Sequence, residues 1–161
     1  MIRKLVLTLA VAALVPAAAW ANPFQTFGPH IGFSTDPSQV VFGGQLQMGD
    51  VAPQLDFVPG VDLGIGDDMT IVSLNGDFHY RIAVSGMSWQ PYAGGGIAVH
   101  FVSWDAPGPI GDSSDTVAEG TIVFGADVPT QRGSRFFVEG KIGLGDGPDF
   151  KVLAGWHFKL R

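Results

Sequence analysis

Over residues 72–82 the chain alternates without a slip, with Val72, Leu74, Gly76, Phe78, Tyr80 and Ile82 on one face and Ser73, Asn75, Asp77, His79 and Arg81 on the other. A period of two sustained over eleven residues predicts a β-strand, because helical spacing would mix the two sets. The same pattern recurs upstream. Leu55, Phe57, Val61, Leu63 and Ile65 alternate with Asp56, Val58, Gly60, Asp62 and Gly64, and Pro59 on the apolar face predicts an irregularity. Val40, Phe42, Leu46 and Met48 oppose Gly43, Gln45 and Gln47, and Ile31 and Phe33 oppose His30, Gly32 and Ser34. Downstream, Ala93, Gly95, Ile97, Val99 and Phe101 alternate with Tyr92, Gly94, Gly96, Ala98 and His100. Ile122, Phe124, Ala126 and Val128 then alternate with Glu119, Thr121, Val123, Gly125 and Asp127. The last pair sets Phe136, Val138, Ile142 and Leu144 against Glu139, Lys141 and Gly143, and Val152, Ala154, Trp156, Phe158 and Leu160 against Lys151, Gly155, His157 and Lys159. Eight strands result.

Turn-forming residues cluster at 35–38, 49–50, 64–68, 85–86, 107–115, 129–133 and 145–149. Connections this short imply antiparallel neighbours, and an even number of antiparallel strands closing on itself removes the exposed edges of an open sheet. The expected fold is all-β, an eight-stranded antiparallel up-and-down barrel.

The amino end has a different character. Arg3 and Lys4 precede an apolar run over residues 5–13, and Ala19-Trp20-Ala21 offers a small-x-small cleavage site before Asn22. Pro16 interrupts the run, which is short of the ~20 residues a spanning helix needs. Residues 1–21 therefore read as a cleaved signal peptide and residues 22–161 as one barrel domain. Beyond residue 21, seven Lys and Arg stand against fifteen Asp and Glu, a balance of about −8. That balance argues against a nucleic-acid partner, which calls for a basic surface. Without cysteine there are no disulfides, no thiolate zinc and no thiol catalysis. No cofactor and no metal site are expected.

Alternation alone leaves open which face points outward. A membrane barrel is apolar outside and polar inside; a soluble lipocalin-like barrel carrying a small apolar ligand is the reverse. The polar face mixes glycines with ions of both signs: Asp56, Asp62, Asp77, His79, Arg81, Glu119, Glu139, Lys141, Lys151 and His157. That mixture suits a narrow lumen whose charges neutralise one another. Tyr80, Trp89, Tyr92, Phe101, Trp104, Phe136, Trp156 and Phe158 fall near strand ends, where membrane girdles lie. The membrane reading follows, with the soluble periplasmic barrel as the alternative and a lipid-A-modifying enzyme third.

The export segment, the eight alternating strands and the closing stretches Phe137-Val138-Glu139-Gly140-Lys141 and Val152-Leu153-Ala154-Gly155-Trp156-His157-Phe158 resemble the small eight-stranded outer-membrane barrels of the OmpX and OmpA transmembrane-domain type. The resemblance implies residence in the outer membrane, contact with its lipid and lipopolysaccharide, insertion by the barrel-assembly machinery, and a non-enzymatic envelope or adhesion role. In that family the last strand usually ends on an aromatic; here Phe158 is followed by Lys159, Leu160 and Arg161.

Candidate chemistry is sparse. Asp77, His79 and Arg81 share a face, as a proton-transfer site or, more simply, as a lumen ion network. His100 and Ser103 resemble the base and nucleophile of lipid-A deacylating barrels, but a spacing of three sends them to opposite faces. Asn22 to Gly28 is too short for the leading helix of the palmitoyl-transferring barrels. Gly94-Gly95-Gly96 and the glycines at 143, 145 and 147 lack the strand-to-helix setting of a phosphate loop. Acidic connections holding Asp36, Asp67, Asp68, Asp105, Asp112, Asp115, Asp146 and Asp149 would lie at one end, as solvated turns or as ligands for divalent cations between protein and lipopolysaccharide.

Overall fold

The computed structural model describes residues 24–67, 69–104 and 113–160, so the expected export segment and the acidic residues Asp68, Asp105 and Asp112 lie outside the described residues. The alternating segments form β1 (Phe24–Thr35), β2 (Gln39–Ala52), β3 (Leu55–Ile65), β4 (Met69–Arg81), β5 (Gln90–Trp104), β6 (Ser113–Pro129), β7 (Arg135–Gly143) and β8 (Phe150–Lys159). Each pairs with the next, and β8 returns to β1 with Phe27 opposite Phe158 and Gly32 opposite Leu153, closing the barrel. No strand is left with an unpaired edge.

Two ends are distinguishable. One carries the start of β1, the end of β8 and the β2–β3, β4–β5 and β6–β7 connections; the far end carries the other four. The hydrophobic pattern decides which way each strand faces. Phe33 (66% exposed), Ile97 (68%), Leu74 and Phe78 stand on the outer wall, while Asp62, Ser73, Asp77 and His100 are buried in the lumen. This polarity is the inverse of a soluble lipocalin-like barrel. On the outer wall the rings of Phe27, Phe57 and Phe124 lie against the outward glycines Gly44, Gly76 and Gly140 of the neighbouring strands, covering backbone that a glycine leaves bare. Where Gly44, Pro59 and Gly76 lower the wall, an apolar groove of about 750 Å³ runs across β2 to β4.

Several local expectations change. β2 runs through Gly49 and Asp50 to Ala52, so the turn falls at residues 53–54. The pairing register slips between Met48 and Ala52, and Gln47 and Met48 are both buried there. Such an irregularity breaks the strict alternation on which a turn at 49–50 rests. Pro59, by contrast, causes no slip: it pairs with Gly76 inside an unbroken run from Leu55–Tyr80 to Ile65–Thr70. A missing N–H removes one ladder bond, and its neighbours hold the register. Tyr92 is no girdle residue; it is 4% exposed and points into the lumen. Nearness to a strand end places it at girdle depth, but its alternation with Ala93 and its shared face with His100 turn it inward. Asp115 belongs to β6 rather than to a connection, and β1 begins earlier than its clearest alternation, adding Thr26 to the buried face.

Candidate functional site

The lumen is built on a repeated device in which two polar side chains meet across the empty place of a glycine. His30, Gly43 and Asp62 are successive partners across β1, β2 and β3, and His30 Nε2 donates to Asp62 Oδ1 at 2.9 Å. A Cβ on Gly43 would lie 2.3 Å from that imidazole nitrogen and 2.7 Å from that carboxylate oxygen. Asp77, Gly96 and Thr121 repeat the arrangement across β4, β5 and β6, with Thr121 Oγ1 donating to Asp77 Oδ1 at 2.9 Å. Tyr92, Gly125 and Glu139 repeat it across β5, β6 and β7, with the phenol donating to Glu139 Oε2 at 2.8 Å. Across β8, β1 and β2, the Gln45 amide donates to His157 Nε2 at 3.0 Å past Gly28. In a narrow barrel large side chains at every adjacent inward position would overfill the lumen. Glycine in the middle strand gives each polar group a partner two strands away, which is why glycine and ions share one face.

Charges are matched in the same space. Lys141 and Lys151 face each other across β7 and β8, an unfavourable like-charge pair on its own. Each finds an acid instead: Lys141 Nζ donates to Asp77 Oδ2 at 2.6 Å and lies 3.5 Å from Glu139 Oε1, and Lys151 Nζ lies 3.4 Å from Asp62 Oδ2. His79 stacks on Tyr92 with ring centroids 4.6 Å apart and places Nε2 3.6 Å from Glu139 Oε2. Toward the end that carries the termini, Arg81 Nε lies 3.3 Å from Asp56 Oδ2, and Gln47 donates to the same carboxylate oxygen at 2.6 Å. Arg135 NH1 lies 3.2 Å from Asp127 Oδ2, and His157 Nδ1 lies 3.3 Å from Asp127 Oδ1. Asp56, Asp62, Asp77, His79, Glu119, Glu139, Lys141, Lys151 and His157 are buried, and Arg81, with a side chain 32% exposed, reaches solvent.

The arrangement with the most chemical capacity is not legible in the sequence. Near the far end, His100 Nε2 donates to Glu119 Oε1 at 2.8 Å, since a carboxylate only accepts. The neutral ring then accepts at Nδ1, and Ser73 Oγ donates to it at 2.7 Å. Lys151 Nζ stands 3.4 Å from the same hydroxyl. Serine, histidine and glutamate in hydrogen-bonded series are the parts of a nucleophile, a base and its orienting acid. Their setting is closed. Ser73 is 1% exposed and His100 0%, and the connection between β7 and β8 folds over them, its Gly147 N–H donating to Glu119 Oε2 at 3.1 Å. As the spacing of three implies, Ser103, opposite Thr70, is exposed on the outer face away from His100; the register sets Ser73 of β4 opposite His100 instead. Among the described residues, no group of three or more His, Asp or Glu side chains is placed to hold a metal ion.

No known protein family and no curated protein matches this sequence. Solved structures match its shape. The N-terminal β-barrel domain of Pseudomonas aeruginosa OprF superposes with a TM-score of 0.70 at 10% identity, covering 86% of this chain and 98% of that domain. Neisserial surface protein A gives 0.60 at 15% identity over 84% of this chain and 94% of its own. A major outer membrane protein from Thermus thermophilus gives 0.56 at 11% identity, covering 84% and 99%. The chain has the fold of the small eight-stranded outer-membrane β-barrels. Identities this low carry the architecture alone, so activity has to be argued from the lumen and surface described above.

Proposed function

We propose that this chain is exported by its signal peptide, inserted by the barrel-assembly machinery, and resides in the outer membrane against lipid and lipopolysaccharide. There it acts as a structural or surface-interaction protein without enzymatic activity. The observation that carries the reading is the pairing of an apolar outer wall, with Phe33 and Ile97 about two-thirds exposed, with a polar lumen filled by its own side chains. Such a wall in water would be an aggregation surface; in hydrocarbon it is the required one. The lumen supports the same reading, for its inward side chains, Asp62, Asp77, His100, Glu139 and Phe137 among them, are almost wholly buried against one another. Cell fractionation with heat-modifiable gel mobility tests the reading. The protein is expected in the outer-membrane pellet, extracted by detergent and migrating faster before boiling than after. Recovery in the periplasmic supernatant without detergent would overturn it.

A second reading, a hydrolase acting through Ser73, is favoured by the Ser73–His100–Glu119 series and opposed by its burial. A fluorophosphonate probe on the refolded barrel separates the two. Non-labelling is expected, whereas covalent labelling at Ser73, lost in His100→Ala, would establish the hydrolase.

A further inference from the structure

Between the Ser73–His100–Glu119 series and the Lys141 cluster lies a partly open void of about 10 Å³, lined by Asn75, Ala98, His100, Glu119, Thr121, Lys141 and Lys151, with Gly143 and Pro148 at its edge. Two observations bear on what occupies it. Its volume is that of a single water, and its lining brings these polar side chains together with Ala98, Gly143 and Pro148. Independently, Asn75, 8% exposed, donates through Nδ2 to Asp62 Oδ2 at 2.9 Å, and its Oδ1 is buried without a hydrogen-bond partner among the described residues. Turning the amide over would break the Asp62 bond and face two acceptors together, so the unpartnered oxygen is the better arrangement.

We propose that this void is a built site for one internal water. The water donates one hydrogen to Asn75 Oδ1 and the other toward Glu119, and accepts from the ammonium of Lys141 or Lys151. A metal cation is disfavoured by the two ammonium groups in the wall. The water's effect is to join two groups of side chains that otherwise touch only by charge: Glu119, His100, Ser73, Lys151 and Asp62 on the far side, and Lys141, Asp77, Thr121 and Glu139 below. These two groups of the filled lumen then form one hydrogen-bonded network. The inference rests on that filled lumen and not on where the barrel resides, so fractionation and the following test fail separately.

A high-resolution crystal structure of the refolded full barrel, with a bromide soak in parallel, reads the site directly. One full-occupancy water within hydrogen-bond distance of Asn75 Oδ1 is expected in the wild type, retained in Asn75→Asp and lost in Asn75→Leu. Water-relaxation dispersion on the detergent-solubilised proteins should correspondingly count one fewer long-lived water in Asn75→Leu. If that variant does not fold, Asn75→Val supplies the comparison and is expected to lose the same water. A wild-type void without density, an Asn75 amide paired within the protein, or a bromide peak in the void would each overturn the proposal.

Discussion

At the scale of single residues, the side on which a group stands decides its energy. Leu74 lies on the outer wall, 43% exposed and close to the middle of β4. Leu74→Arg is therefore expected to cost about 2–4 kcal/mol, the penalty of a cation on the lipid face near mid-depth, as read by urea unfolding in vesicles. Inside, Lys141 serves two acids at once. Lys141→Ala is expected to cost about 3–5 kcal/mol by leaving Asp77 and Glu139 uncompensated, and the added change Asp77→Ala to cost less than its own single effect. Two glycines of one strand pair give a sharper contrast. A Cβ on Gly96 would lie 2.4 Å from Asp77 Oδ1 and 2.3 Å from the Gly76 carbonyl oxygen, while one on Gly76 would meet only the Phe57 ring at 3.5 Å. Gly96→Ala should lower stability by about 1–3 kcal/mol and Gly76→Ala should leave it nearly unchanged, in the same unfolding assay.

At the scale of elements, strand register does what no strand does alone. β7 and β8 bring Lys141 and Lys151 face to face, and β3 and β4 supply Asp62 and Asp77 to separate them. The β7–β8 connection keeps Asp146 and Asp149 in solvent while its Gly147 and Pro148 close over the lumen mouth. Leu144 N–H donates to Gly120 O at 2.9 Å, Gly147 N–H reaches Glu119, and Pro148 is buried. A Cβ on Gly147 would come within 2.4 Å of Glu119 Oε1 and 2.7 Å of His100 Cδ2. Gly147→Ala should lift the connection from the barrel mouth. Hydrogen exchange is expected to show loss of protection at residues 144–149 while the ladder amides of β7 and β8 keep theirs; unchanged exchange at 144–149 would show that the connection absorbs the methyl group in place.

For the whole molecule, eight strands enclose an interior that side chains fill, and here they fill it from Glu119 near the far end to Arg81 and Arg135 near the termini. The expected result in planar-bilayer recording of the refolded protein is silence. Steady conductance of porin size would mean that the lumen opens or that several chains build a wider pore together.

The alternation of residue types determined the number of strands, their antiparallel order and which residues face together, because a period of two fixes sidedness without reference to any partner. It put Ser73, His100, Glu119 and Lys151 on polar faces. It could not say that Ser73 is the residue that meets His100, or that Arg81 pairs with Asp56 while Asp77 belongs to Lys141. Those outcomes depend on register, and register is set by the closure of all eight strands together. The glycines show the division plainly: their place among the ions on the polar faces was visible in the alternation, but the bonds made across Gly43, Gly96 and Gly125 join residues from strands that are not neighbours, and only the closed barrel brings those within reach.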